Sequence, residues 1–81
     1  MSNERHLARH SVKPEDAEQC YRNDPLIVEE QEVDGEIRYL ALGETDTFRR
    51  LAFVFTIRRD QVRFVTAYAM SAQQQEIFEE G

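Results

Sequence analysis

Five arginines fall within twenty residues of an otherwise acidic chain: Arg49, Arg50, Arg58, Arg59 and Arg63, in the stretch "RRLAFVFTIRRDQVRFVTAY" that ends at Tyr68. A guanidinium is a planar, permanently charged fork whose N–H groups match the oxygens of a phosphate. Arginines fixed on a rigid sheet can hold an RNA phosphate in two-point contact. They can also stabilise the negative charge that builds up when the adjacent 2′-hydroxyl attacks it. Such chemistry requires no metal. An imidazole can donate or accept a proton near neutral pH, which suits His10 to moving a proton, and Tyr68 is suited to stacking on a base or positioning a hydroxyl. His10, Arg49, Arg58, Arg63 and Tyr68 are therefore the candidate catalytic set. The plain alternative is that the same arginines are solvated and paired with the many glutamates.

Other chemistries find little support. Glycines at 35, 43 and 81 are too scattered for a phosphate-cradling loop. His6 and His10 would share a helix face but lack a third ligand, so no metal or other cofactor is expected. No Ser-His-Asp ordering stands out. Cys20 is the single cysteine, which excludes an internal disulfide and fits a reducing compartment. Its expected role is that of a small apolar residue on a helix.

The elements that must position these groups follow from periodicity and punctuation. "SNERHLARHS" predicts a short first helix capped by Ser2 or Asn3, with Leu7 as its only strong apolar contact. "VKPEDAEQCYRNDP" predicts a second, with Pro14 at its first position and Glu15 and Asp16 against the positive end of the helix dipole. Lys13 is a poor cap, and Ala17, Cys20 and Tyr21 form the inner face. The period then changes: "LIVEEQEV" and "EIRYLALG" flank Asp34-Gly35, a favourable two-residue hairpin turn. Glu29, Glu30 and Glu32 suit the first of these strands to an exposed edge.

After the polar connection "GETDTF" comes a second hairpin with a two- or four-residue loop around Arg59-Asp60. An even loop pairs Ile57 with Val62, Phe55 with Phe64, Phe53 with Thr66 and Leu51 with Tyr68 on one apolar face. Arg58 and Arg63 then lie near the hairpin tip on the opposite face. "MSAQQQEIFEEG" closes the chain with a helix in which Ser71 and Gln74 form a capping box and Ile77 and Phe78 face inward. Two N-terminal helices, a four-stranded antiparallel sheet and a C-terminal helix, in a single domain over residues 1–81, place the chain in the α+β class.

The net charge of −6 and pI near 4.8 argue against a general nucleic-acid coat. Acidic residues crowd positions 15 to 36 and 76 to 80 while arginines gather at 49 to 63, so a local basic face survives. A polar start and the lack of a long apolar run predict a cytoplasmic protein without a membrane span. The small size and half-acidic edge strand predict self-association or assembly with a partner.

Taken in order, "ERHLARHSVKPEDAEQ", "NDPL", "GEIRYLALGETDTFRRLAFVFTIR" and "VRFVTAYAM" resemble the BrnT family of type II toxins over nearly the whole chain. Members show a "KHGV" or "RHGV" segment before an acidic helix, then "GE.R…G", "GR.L.VV(Y/F)T.R" and "R.ISA(R/Y)". The resemblance implies a RelE-like α+β domain, metal-independent RNA cleavage and neutralisation by a BrnA-type antitoxin, which makes the assembly expected from size and edge strand a homodimer or a toxin-antitoxin hetero-oligomer. By motif, His10 takes the place of the histidine of "RHGV", Arg49 that of the arginine of "GR", Arg58 that of "FT.R" and Arg63 that of "R.ISA". Tyr68 falls where many members carry arginine. Ser11 and Phe48 replace the glycines of "RHGV" and "GR". The competing class is a noncatalytic module that keeps the fold and uses the arginines to bind an acidic protein.

Overall fold

The computed structural model of the chain describes residues 12–81, and the helix expected over residues 2–11, with His6 and His10, lies outside them. Among the described residues the order is helix α1 (Pro14–Arg22), strands β1 (Leu26–Val33), β2 (Glu36–Glu44), β3 (Arg50–Arg58) and β4 (Gln61–Ala69), and helix α2 (Ala72–Glu80). One helix, rather than two, thus precedes the sheet within this span. The sheet is antiparallel with strands in sequence order, as expected when consecutive strands are joined by tight turns. No helix of the described residues is long and apolar enough to cross a membrane.

The turns explain the strand boundaries. Asp34 and Gly35 both take positive φ, 52° and 80°, the geometry that matches the twist of a two-residue hairpin. Arg59 and Asp60 repeat it at 52° and 66°. The second hairpin loop is therefore the two-residue alternative. Its residues are not glycines, and a left-handed backbone costs an L-residue with a long side chain on the order of 1–2 kcal/mol.

α1 starts on Lys13, whose side chain makes no cap bond. The Asp16 carboxylate repairs the start by accepting the Lys13 backbone N–H at 3.0 Å. α1 lies across one face of the sheet, the core face, where Cys20, Ala41, Leu51, Phe53 and Phe55 are buried together. Tyr21 remains partly exposed, yet its ring meets Phe55 and Phe64 edge-on at centroid distances of 5.2 and 6.0 Å. Gly43 permits the close crossing: a Cβ there would stand 3.0 Å from the Cys20 Cβ and 3.2 Å from its carbonyl oxygen.

α2 covers part of the opposite, outer face. Its capping box forms as expected, with Gln74 N–H donating to Ser71 Oγ and Ser71 N–H to Gln74 Oε1. Phe78 packs with Leu42, Ala52 and Met70. Ile77, expected to face inward beside it, is 39% exposed. Gln74 and Phe78, four residues apart, lie along the sheet-facing line of a nine-residue helix, and Ile77 falls to its flank.

Candidate nucleic-acid interface

The second hairpin departs from the expected register at one residue. Ile57 pairs with Val62 and Phe55 with Phe64, but between Val54 and Phe55 the ladder shifts, leaving Val65 as a β-bulge. Beyond it Phe53 faces Ala67 rather than Thr66, and Leu51 faces Ala69 rather than Tyr68. A one-residue insertion exchanges the faces of everything that follows it. Tyr68, expected among the core-face pairs, is thus carried with Thr66 to the outer face, where Arg63 and Arg58 also point. The bulge brings these candidate residues onto one surface.

Successive cross-strand rows describe that surface. At the hairpin tip, Glu36 of β2 lies beside Arg58, whose Nη2 donates to Glu36 Oε2 at 2.9 Å. In the next row Gln31, Arg38, Thr56 and Arg63 run across all four strands. Thr56 is buried and its hydroxyl is committed to the Ile37 carbonyl at 2.8 Å, so the two arginines flank a spacer with no free donor. Arg63 makes no ion pair among the described residues. Two rows further on, Tyr68 pairs with Ala52, and its phenolic oxygen accepts Gln74 Nε2–H at 3.3 Å. Between these rows a groove of about 270 Å³ opens, lined by Glu29, Gln31, Arg38, Leu40, Val54, Val65, Thr66 and Tyr68 among others.

Arg38 was absent from the sequence-derived set. Its β2 neighbours Ile37, Tyr39, Leu40, Ala41 and Leu42 are apolar on both faces, which hides the alternation that would have placed it. The "GE.R" match was the available signal.

The remaining arginines do different work. Arg49 lies nine residues before Arg58 along extended chain, about 30 Å away. It pairs with Asp16 of α1 at 3.4 Å and does not join Arg58 and Arg63. Arg50 is a structural clamp: it meets Glu79 at 2.7 Å and Glu44 at 3.2 Å, and its guanidinium lies 5.5 Å from the Phe78 ring centroid. Those hydrogen bonds to Glu79 and Glu44 raise its pKa further. Arg58, Arg59, Gln61 and Arg63 line a separate shallow depression at the hairpin tip. His10 lies outside the described residues.

Cys20 has no place in this surface. Burial, reinforced by Asp16, pushes its thiol up to about 11, so it is neither a nucleophile nor a thiolate at neutral pH. Phe48 is 79% exposed and adopts φ 69°, the left-handed region natural to the glycine that "GR" carries at this point.

The family model described as "Ribonuclease toxin, BrnT, of type II toxin-antitoxin system" matches residues 2–74, from the start of the chain through all four strands into α2. No curated protein and no solved structure matches the chain.

Proposed function

The chain belongs to the BrnT family of ribonuclease toxins of type II toxin-antitoxin systems, and on that premise we propose that it cleaves RNA on the outer face of its sheet without a metal ion. The observation that carries this reading is the convergence of Arg38, Arg58, Arg63 and Tyr68 on one face of a rigid sheet. In the proposed reaction the 2′-oxygen attacks the neighbouring phosphorus and the bond from phosphorus to the 5′-oxygen breaks. The products are a cyclic phosphate and a 5′-hydroxyl. Arg58 and Arg63 neutralise the charge on the non-bridging oxygens as the phosphorus becomes five-coordinate. The 2′-hydroxyl loses its proton and the departing oxygen gains one, and His10 is the residue assigned to this proton movement. Tyr68 holds the adjacent base. Arg49, tied to Asp16 at the far end of β3, contributes to docking longer RNA rather than to the reacting phosphate.

The same reading makes the fold RelE-like and the partner a BrnA-type antitoxin that covers this face, in a toxin-antitoxin hetero-oligomer. The test is cleavage of a mixed RNA in EDTA by the parent and by an Arg58→Ala, Arg63→Ala double variant that keeps its circular dichroism spectrum. Cleavage by the parent alone supports the proposal. If neither protein cleaves while both are folded, the noncatalytic module is the correct reading. If cleavage requires added divalent metal, the metal-free mechanism is wrong.

A further inference from the structure

We propose that the outer-face groove is a single-nucleotide subsite in which Arg38 holds an RNA phosphate and the Tyr68 ring stacks on the attached base. The proposal rests on the RNA reading above and adds to it a residue and a binding pose. Three observations carry it.

First, Arg38 is a cation without a settled partner. Its Nε–H is buried and donates to no acceptor. The nearest carboxylate oxygen, on Glu36, is 3.7 Å from that nitrogen, too far for a hydrogen bond, and Glu36 already accepts Arg58 at 2.9 Å. A buried donor left unmet on a half-exposed guanidinium calls for an explanation. The pairing with Glu36 is long and shared with Arg58, so the solvent-facing part of the Arg38 guanidinium can take a further anion.

Second, the walls change character along the groove. At one end Arg38 and Arg63 stand in the same cross-strand row. In the middle Leu40, Val54 and Val65 make an apolar floor, and at the far end Tyr68 is 41% exposed with its hydroxyl held by Gln74. The Arg38 and Tyr68 rows are separated by four strand residues, about 13 Å between backbones. Both side chains line the one groove of about 270 Å³, and the proposed nucleotide spans the interval between them.

Third, Glu29 fixes the direction. It lines the groove in the row of Leu40 and Val54 and makes no ion pair among the described residues. Its carboxylate repels a phosphate from the middle of the groove and accepts from the amino group of a base. The phosphate is thereby directed to the Arg38 end and the base to the Tyr68 end.

The test is fluorescence anisotropy with a labelled 2′-O-methyl RNA hexamer of mixed sequence, which binds but cannot be cleaved through the 2′-oxygen. Arg38→Gln is expected to weaken binding about tenfold and to lower the salt slope by about 0.7, the value for one phosphate contact on a single strand. Tyr68→Leu is expected to weaken binding about tenfold with the slope unchanged, and Tyr68→Phe to bind as the parent does. Should Arg38→Gln fail to fold, Arg38→Lys serves: it keeps the slope and loses affinity, because the charge remains and the two-point fork is gone. If the parent binds the hexamer and the Arg38 and Tyr68→Leu variants match it, the groove is not the subsite, although the RNA reading stands. If the folded parent binds no RNA, both fail together.

Discussion

Glu36 stands between Arg38 and Arg58, both proposed to meet RNA phosphate, so its removal should strengthen binding. One carboxylate oxygen accepts Arg58 at 2.9 Å and the other lies 3.7 Å from Arg38. RNA phosphate must displace the first contact and approach against the charge of the second. Arg58 is 56% exposed and Glu36 25%, so solvent screens the pair, and its worth is at most about 1 kcal/mol. Glu36→Gln removes that competition and the carboxylate's repulsion while keeping the shape of the side chain. A total near 1 kcal/mol corresponds to roughly fivefold tighter binding. The gain should be larger at about 50 mM than at about 200 mM salt, since exposed charges are screened. Anisotropy of labelled RNA measures the affinity, and thermal melting should show little change because the pair is on the surface. A folded Glu36→Gln protein that binds RNA no better than the parent would refute the argument that Arg38 and Arg58 meet phosphate.

Three further substitutions test the fold that carries this face. Phe48→Gly should raise stability by about 1 kcal/mol, or about 4–8 °C in melting temperature, because it places glycine at a φ of 69° and removes a ring that is 79% exposed; an unchanged or lower melting temperature would show that the Phe48 ring contributes to folding. Gly43→Ala should destabilise by about 1–3 kcal/mol, since its Cβ would meet the Cys20 Cβ at 3.0 Å and backbone at 3.2 Å, with no flexible side chain to yield; a melt within 1 °C of the parent, taken as about the error of the method, would mean α1 moves freely over the sheet. Cys20 makes stability depend on alkaline pH. Its thiol is raised from 9.0 to about 11, so the unfolded chain loses the proton first; the contribution is complete below pH 9 and fades as pH rises through about 11. The loss is on the order of 2–3 kcal/mol. Urea unfolding across that window should show a shallower decline in Cys20→Ala, and equal slopes in the two proteins would contradict this assignment.

Both hairpins were legible because strand period and turn chemistry agree: Asp34-Gly35 interrupts alternation as a two-residue turn, and only an even loop at Arg59-Asp60 keeps Phe55 opposite Phe64, although two and four residues serve that register equally. The capping box on Ser71 was legible for the same reason, as a local pattern with a local hydrogen bond. The bulge was not. Val65 is a β-branched residue as suitable for a regular strand as for an irregular one, so nothing in the alternation "VRFVTAY" marks where the register slips. The consequence was large for the site, since the slip decides which face Tyr68 occupies. Arg49 illustrates a different limit: adjacency to Arg50 in sequence says nothing about the roughly 30 Å that β3 puts between it and Arg58. Lys13 was correctly read as a weak cap, but the compensating carboxylate of Asp16 became visible only with the helix in place.

The bulge at Val65 has a counterpart on the other rim. In β1 the ladder skips between Ile27 and Glu29, leaving Val28 as the extra residue. Each outermost strand of this four-stranded sheet therefore carries one interruption, and β1 adds exposed Glu29, Glu30 and Glu32. A rim that bends partway along presents its free N–H and C=O groups in two misaligned segments, a poor template for a further straight strand. Copies of the chain are thereby discouraged from joining rim to rim into fibres, even when crowded during synthesis. Among the described residues, the two valines interrupt both rims of the sheet and so disfavour its extension by a further strand.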